Sequence, residues 1–185
     1  IEGQIDTAMY EGSHGSPIPN AGLPRFRNSS FQAAYPFGQV LLSDPDVPLD
    51  VRIQAFNPLI PGDSDSSGIP VAVLRFVLTN RMATSVSASV CGTVRNFIGT
   101  DGTNGSPSRN VNEFRKTAGR PGIQGFFMRS EGVDPNSEQY GTMALATTAS
   151  KGVTYRAAWP MRYPAGSLLD FWDDFSDDGK LEAGK

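Results

Sequence analysis

One histidine and one cysteine are all that this 185-residue chain offers to chemistry needing imidazole or thiolate. With only His14 and Cys91, a zinc or redox-metal cluster would need carboxylates for most of its ligands. A single cysteine also excludes an intramolecular disulfide framework. A Ser–His–Asp triad would have to use His14, which sits in Gly12-Ser13-His14-Gly15-Ser16 and reads as an exposed loop histidine. Charge of one sign is lacking too. Sixteen basic and 19 acidic residues leave a net charge of −3, which does not suit a nucleic-acid or membrane-surface binder. No window approaches the roughly 20 apolar residues of a transmembrane helix, and no signal peptide is visible. The chain starts at Ile1 rather than Met, as a processed or excised product would. Gly-x-Ser-x-Gly elbows, phosphate loops and dinucleotide fingerprints are missing, so no cofactor is expected.

Glycine and proline are plentiful: 20 and 14 respectively, as short strands joined by many turns require. Leu49, Val51, Ile53 and Ala55 alternate with Asp50, Arg52 and Gln54, the period-2 signature of a half-buried strand. Pro58 and Pro61 end it, because neither can donate to a ladder. Residues 70–79 are apolar at nearly every position. Ala72, Leu74, Phe76 and Leu78 form one face; Val71, Val73 and Val77 form the other, broken by Arg75. Such a run predicts a central strand buried on both sides. Alternation returns over 85–98, where Cys91 reads as a small core or strand residue. Further short strands are predicted at 123–129, 142–147 and 153–159. Residues 1–34 read as irregular, with room for one short strand. The stretch 99–122, rich in Gly, Asn, Ser and Pro, reads as a long polar loop of a length usually tied to function.

One helix is predicted. Leu168, Phe171, Trp172 and Phe175 fall at i, i+3, i+4 and i+7, one helical face. Ser167 is placed to cap it, with Asp170 three residues on, and Gly179 marks its end. Asp173, Asp174, Asp177 and Asp178 crowd its C-terminal half, where the helix dipole disfavours anions. A short helix fraying near Ser176 is expected. The fold class is therefore all-β, an antiparallel β-sandwich with one short helix near the C-terminus.

Three kinds of site can be weighed against plain structural roles. Calcium needs only oxygen ligands, and Asp63-Ser64-Asp65-Ser66-Ser67-Gly68 mimics the start of an EF-hand loop. Yet Leu74 stands at the twelfth position, where a bidentate glutamate is required, and Pro70 intrudes. Asp174-Phe175-Ser176-Asp177-Asp178-Gly179 fails likewise, with Lys185 twelfth. Polar turns explain both better, and no metal is expected. Glycosidases run on two carboxyl groups, so Glu113, Glu131, Glu138, Asp170, Asp173 and Asp174 are candidates. Most fall in polar loops or on the expected solvent face of the helix, where carboxylates are ordinarily solvated. Trp159, Trp172, Phe97, Phe126, Phe127 and Tyr163 could stack on sugar rings. Trp172 lies on the helical stripe, and Trp159 shares parity with Val153, Tyr155 and Ala157, so core packing accounts better for both tryptophans.

Ordered blocks along the chain carry a family likeness. They run Tyr35-Pro36-Phe37-Gly38-Gln39-Val40, then Ala55-Phe56-Asn57-Pro58-Leu59-Ile60-Pro61-Gly62-Asp63, then Ser66-Ser67-Gly68-Ile69-Pro70-Val71-Ala72-Val73-Leu74-Arg75-Phe76-Val77-Leu78-Thr79-Asn80. Val94-Arg95-Asn96-Phe97-Ile98-Gly99, Gly122-Ile123-Gln124-Gly125-Phe126-Phe127-Met128, Tyr140-Gly141-Thr142-Met143-Ala144-Leu145-Ala146-Thr147 and Phe171-Trp172-Asp173-Asp174-Phe175-Ser176-Asp177-Asp178-Gly179-Lys180-Leu181 follow. Over 35–181 the chain resembles the N-terminal β-domain of glycoside hydrolase family 116, which includes β-glucosidases and non-lysosomal glucosylceramidases.

The resemblance implies a β-sandwich that precedes an (α/α)₆ barrel. In the family, both the nucleophilic glutamate and the acid/base aspartate belong to that barrel. No catalytic residue is therefore carried over to this chain, and no substrate-binding residue is assigned. The expected organisation is an irregular segment at 1–34 and a partial β-sandwich domain at 35–185, with the catalytic barrel absent. The implied role is a non-catalytic domain of a retaining β-glycosidase. It would pack on the C-terminal catalytic domain of the same parent chain and shape the active-site rim, with 99–122 the leading loop. It would meet carbohydrate or glycoside substrate only indirectly. A stand-alone carbohydrate-binding module and a structural or interaction β-sandwich are the alternatives.

Overall fold

The computed structural model describes residues 23–99, 109–119, 122–159 and 166–183. They divide into two compact units, Ile1–Ser87 and Ala88–Lys185. In the first unit, β1 (Asn28–Ala34), β2 (Phe37–Ser43), β3 (Leu49–Phe56) and β4 (Val73–Asn80) form one antiparallel sheet in sequence order. Only Tyr35 and Pro36, joined by a cis peptide, separate β1 from β2. Asp44 organises the β2–β3 turn. Its Oδ1 accepts from the Asp46 backbone N–H (2.9 Å), and its carbonyl accepts from Val47 N–H (3.2 Å). Between β3 and β4 lies a single helical turn, α1 (Ser64–Ser67), capped by Asp63.

Register sets the two faces of this sheet. Val40 pairs with Ile53 and Ile53 with Phe76; Leu42 pairs with Val51 and Val51 with Leu78. Alternation then gathers Val40, Leu42, Val51, Ile53, Phe76 and Leu78 on one apolar face. Leu42 and Ile53 are 7% and 4% exposed, whereas Leu74 and Phe76 on β4 are 59% and 41% exposed. The two-sided burial expected for 70–79 is thus not found. β4 is an edge strand with a neighbour on one side only, and burial concentrates on the interior strands β2 and β3.

In the second unit, β5 (Asn110–Lys116), β6 (Gln124–Ser130) and β7 (Thr142–Thr147) form a second antiparallel sheet with β6 central. β5 lies inside the stretch expected to be loop. Its sequence looks polar because Asn110 and Asn112 make hydrogen bonds rather than apolar contacts. Asn110 Nδ2 donates to the carbonyls of Asn96 (3.1 Å) and Ile98 (3.3 Å). Asn96 Nδ2 donates to Asn112 Oδ1 (2.9 Å) and the Arg129 carbonyl (3.1 Å), and Asn112 Nδ2 donates to the Ala157 carbonyl (2.9 Å). These side-chain bonds dock the end of 85–98 and the middle of 153–159 where strands were expected. Neither segment forms a ladder. Buried polar groups satisfied in this way add specificity without exposing apolar surface.

Met128, 2% exposed, sits at the centre of β6. Beside it, Phe114 stacks on Tyr155 with ring centroids 3.8 Å apart, and Phe126 meets both rings edge-on at 5.7 and 5.5 Å. Gly125 has no room for a side chain. A Cβ there would lie 2.1 Å from the Leu145 carbonyl oxygen and 2.5 Å from Ala146 Cα.

The helix, α2 (Gly166–Asp178), is longer than expected, starting one residue before Ser167 and continuing past Ser176. It stops at Gly179, where φ is +73° and the N–H donates to the Phe175 carbonyl (2.9 Å), a conformation that favours glycine. Of the four crowding aspartates, Asp173 and Asp177 are exposed to solvent, and cations meet Asp174 and Asp178. Arg156 binds Asp170 and Asp174, and Lys180 Nζ binds Asp178 at 2.7 Å. Two antiparallel sheets with one short C-terminal helix make the chain all-β, the predicted class. No described helix is long and apolar enough to cross a membrane.

Candidate functional site

The six candidate carboxylates do not form one site. Glu113 lies on the outer face of β5, directly opposite Phe127. It accepts from Arg115 at 2.7 Å, and the Arg115 guanidinium covers the Phe127 ring 4.1 Å from its centroid. The Arg115 hydrogen bond, with help from the charges of Arg115 and Arg129, holds the Glu113 carboxyl below the usual carboxylate range. A group so stabilised as a carboxylate is a poor proton donor near neutral pH. Glu131 pairs with Arg129 (2.8 Å) and Arg109 (3.9 Å). Glu138 and Asp173 are exposed.

Asp170 and Asp174 are the pair that the fold does bring together, and they are not solvated as the sequence suggests. One turn apart on α2, they flank the guanidinium of Arg156, with Nη1–Asp170 Oδ2 at 2.5 Å and Nη2–Asp174 Oδ2 at 2.8 Å. The Arg156 side chain is 4% exposed, that of Asp174 8% and that of Asp170 20%. Asp174 Oδ2 also accepts from the Glu182 N–H at 3.0 Å. Both carboxylates are therefore committed to joining the helix to the 153–159 segment.

The aromatic candidates are similarly placed. Phe126 belongs to the cluster with Phe114 and Tyr155, and Phe127 lies under Arg115. Trp159 stacks on Phe171 at 5.2 Å and 13°, and Phe171 continues onto Phe175 at 5.8 Å and 11°. Trp172 is half-buried, and Phe97 is exposed. His14 and Tyr163 lie outside the described residues. Burial pushes the Cys91 thiol up, which keeps it protonated and weakly nucleophilic. Asp63 spends both carboxyl oxygens on Ser66, accepting from its N–H (2.9 Å) and its hydroxyl (2.7 Å). Among the described residues no group of three or more His, Cys, Asp or Glu side chains could hold a metal ion.

A feature not anticipated from the sequence is an open cleft of about 730 Å³ on the polar face of the first sheet. Ser30, Leu41 and Arg52 lie side by side across β1, β2 and β3, and Asp50 faces Thr79 across β3 and β4. Arg81 closes one end. Its guanidinium donates to the Asp44 carbonyl (2.5 Å) and the Val47 carbonyl, and its Nε lies 3.5 Å from Asp50. Asp44, 5% exposed, also accepts from the Arg27 N–H at 3.1 Å. The signal was present in the polar phase of the β3 alternation, Asp50 and Arg52, which ordinarily means only a solvated face.

Residues 6–185 match the family model described as beta-glucosidase 2, glycosyl-hydrolase family 116 N-term. The match takes in both sheets and α2.

Proposed function

Because the chain belongs to the glycosyl-hydrolase family 116 N-terminal domain family, we propose that it is a non-catalytic domain packing on the catalytic domain of its parent hydrolase and shaping the active-site rim. The observation that carries this reading is how its carboxylates are used. Glu113, Glu131, Asp170 and Asp174 are each tied to arginine, and glycoside hydrolysis requires one carboxyl kept protonated in an enclosed apolar setting. The remainder of the parent is a retaining β-glycosidase with both catalytic carboxylates in an (α/α)₆ barrel.

Support for docking comes from the apolar face of the β1–β4 sheet. Leu74, Phe76, Leu78 and Phe31 are 59%, 41%, 37% and 71% exposed, and exposed apolar surface of this kind marks a contact face. The occupant on this reading is the rest of the parent chain. The rim contribution narrows to the stretches flanking β5, since 110–116 are strand. The test is to add the remainder of the parent hydrolase as a separate polypeptide and follow association by size-exclusion chromatography. A stable complex is expected, weakened by Phe76→Asp without loss of the domain's own fold. Absence of association, or a complex indifferent to Phe76→Asp, would refute docking through this face.

A further inference from the structure

We propose that the cleft on the polar face of the β1–β4 sheet is a carbohydrate-binding site for a neutral, polyhydroxylated ring. This goes beyond the docking role and does not rest on it, because the docking surface is the opposite, apolar face of the same sheet.

Hydrogen-bonding chemistry points to the ligand class. Asp50 and Arg52 project from the same face of β3, two residues or about 6.6 Å apart. Asp50 can only accept hydrogen bonds, whereas the guanidinium of Arg52 can only donate, through five N–H groups in a fixed fork. Adjacent ring hydroxyls, each both donor and acceptor, satisfy the two together. Asp50 is already paired with Arg81, so Arg52 is the one uncompensated charge of the lining. A simple anion is the competing occupant, which is why sulfate enters the test, while mixed acceptors and donors side by side suit a polyol. Leu41, between Ser30 and Arg52, offers an apolar spot for the C–H side of a ring.

The site is also pre-organised. Arg81 is anchored to the carbonyls of Asp44 and Val47 and reaches Asp50, so one donor group is in place before a ligand arrives. Arg52 is exposed and has no hydrogen-bond or ion-pair partner among the described residues, leaving its fork free. The cleft's volume of about 730 Å³ lies within the roughly 300–1,000 Å³ of small-molecule sites.

Beyond the cleft the same face continues to Phe56 and its neighbour Phe37, 41% and 61% exposed, with ring centroids 6.1 Å apart. Phe56 stands four residues along β3 from Arg52, about 13 Å away. That spacing would let a chain of sugars reach from the polar cleft to an aromatic surface.

The experiment is an NMR titration of the 185-residue chain with cellotetraose and maltotetraose as probes, and with inorganic sulfate as the anionic competitor. At least one tetrasaccharide should shift the amides around Leu41, Asp50 and Arg52 saturably. Arg52→Ala and Asp50→Asn should each weaken that binding about tenfold or more, the effect of losing a hydrogen bond to a charged group. Lys151→Ala, in the other unit, should leave it unchanged, and thermal melting should confirm that the variants remain folded. The proposal is overturned if neither sugar binds, if both cleft variants bind as tightly as the parent sequence, or if sulfate occupies the cleft and displaces the sugar. Failure here leaves association with the rest of the hydrolase untouched, so the two readings fail separately.

Discussion

Replacing Arg156 with alanine should be among the most damaging single changes in the second unit. The guanidinium is 4% exposed and binds two carboxylates, of which Asp174 is 8% and Asp170 20% exposed. Removing it leaves two like charges one helical turn apart, with Asp174 almost wholly out of water. Breaking a buried ion pair from one side costs about 3–5 kcal/mol. Asp170 retains some solvent, which places the expected cost near the lower end, about 3 kcal/mol. Against a domain stability of roughly 5–15 kcal/mol, that is a large fraction. Urea denaturation at neutral pH measures it, with an unchanged m-value showing that the loss belongs to the folded state. Replacing all three groups together, as Arg156→Met, Asp170→Leu and Asp174→Leu, should by contrast be close to neutral, because desolvating the charges nearly cancels their attraction. Asp174→Asn should cost more than Asp170→Asn, following their burial. A shift below about 0.5 kcal/mol for Arg156→Ala would refute the reasoning, since that is the range of a solvent-screened surface pair.

Gly125→Ala should destabilise by about 2 kcal/mol or more, because the new methyl meets backbone atoms of β7, which cannot move like a flexible side chain; the urea midpoint reads it. Ile53→Ala should cost about 2–5 kcal/mol, while Leu74→Ala on the exposed edge strand should cost under about 1 kcal/mol in the isolated chain, a contrast visible in paired melts. The Asp63 carboxyl is held below the usual range, chiefly by the Ser66 backbone N–H and then by the Ser66 hydroxyl. Its stabilisation of α1 is therefore present at neutral pH and lost as pH falls through that depressed value, which an NMR titration of the Asp63 side chain and the Ser66 amide should follow together.

The readable parts of the fold were those where one residue type did one job. Leu49, Val51, Ile53 and Ala55 alternated cleanly and became β3; Thr142–Thr147 was bounded correctly as β7. β5 escaped because Asn110 and Asn112 fill inward positions normally held by apolar residues, their amide N–H groups donating to distant carbonyls. The segments 85–98 and 153–159 misled in the opposite way, since alternation shows only that successive residues face opposite sides, not that a neighbouring strand is present. Tyr155 turns to the aromatic cluster and Arg156 to the helix without any ladder. The edge position of β4 was equally hidden, because strand order comes from long-range pairing and not from local pattern. Of the candidate carboxylates, the pairing of Asp170 and Asp174 depended on an arginine 14 residues before the first of them, which helical spacing alone does not reveal.

Incubation of the purified chain with an aryl β-glucoside tests most directly the claim that this domain scaffolds a hydrolase without being one. The account predicts no release of aryl alcohol above the buffer rate across the neutral range. The claim rests on carboxylates held by Arg115, Arg129 and Arg156, and on the proposal that the reacting pair lies elsewhere in the parent. Release that disappears on changing Glu113, Glu131 or Glu138 to glutamine would contradict it and make this domain an enzyme in its own right.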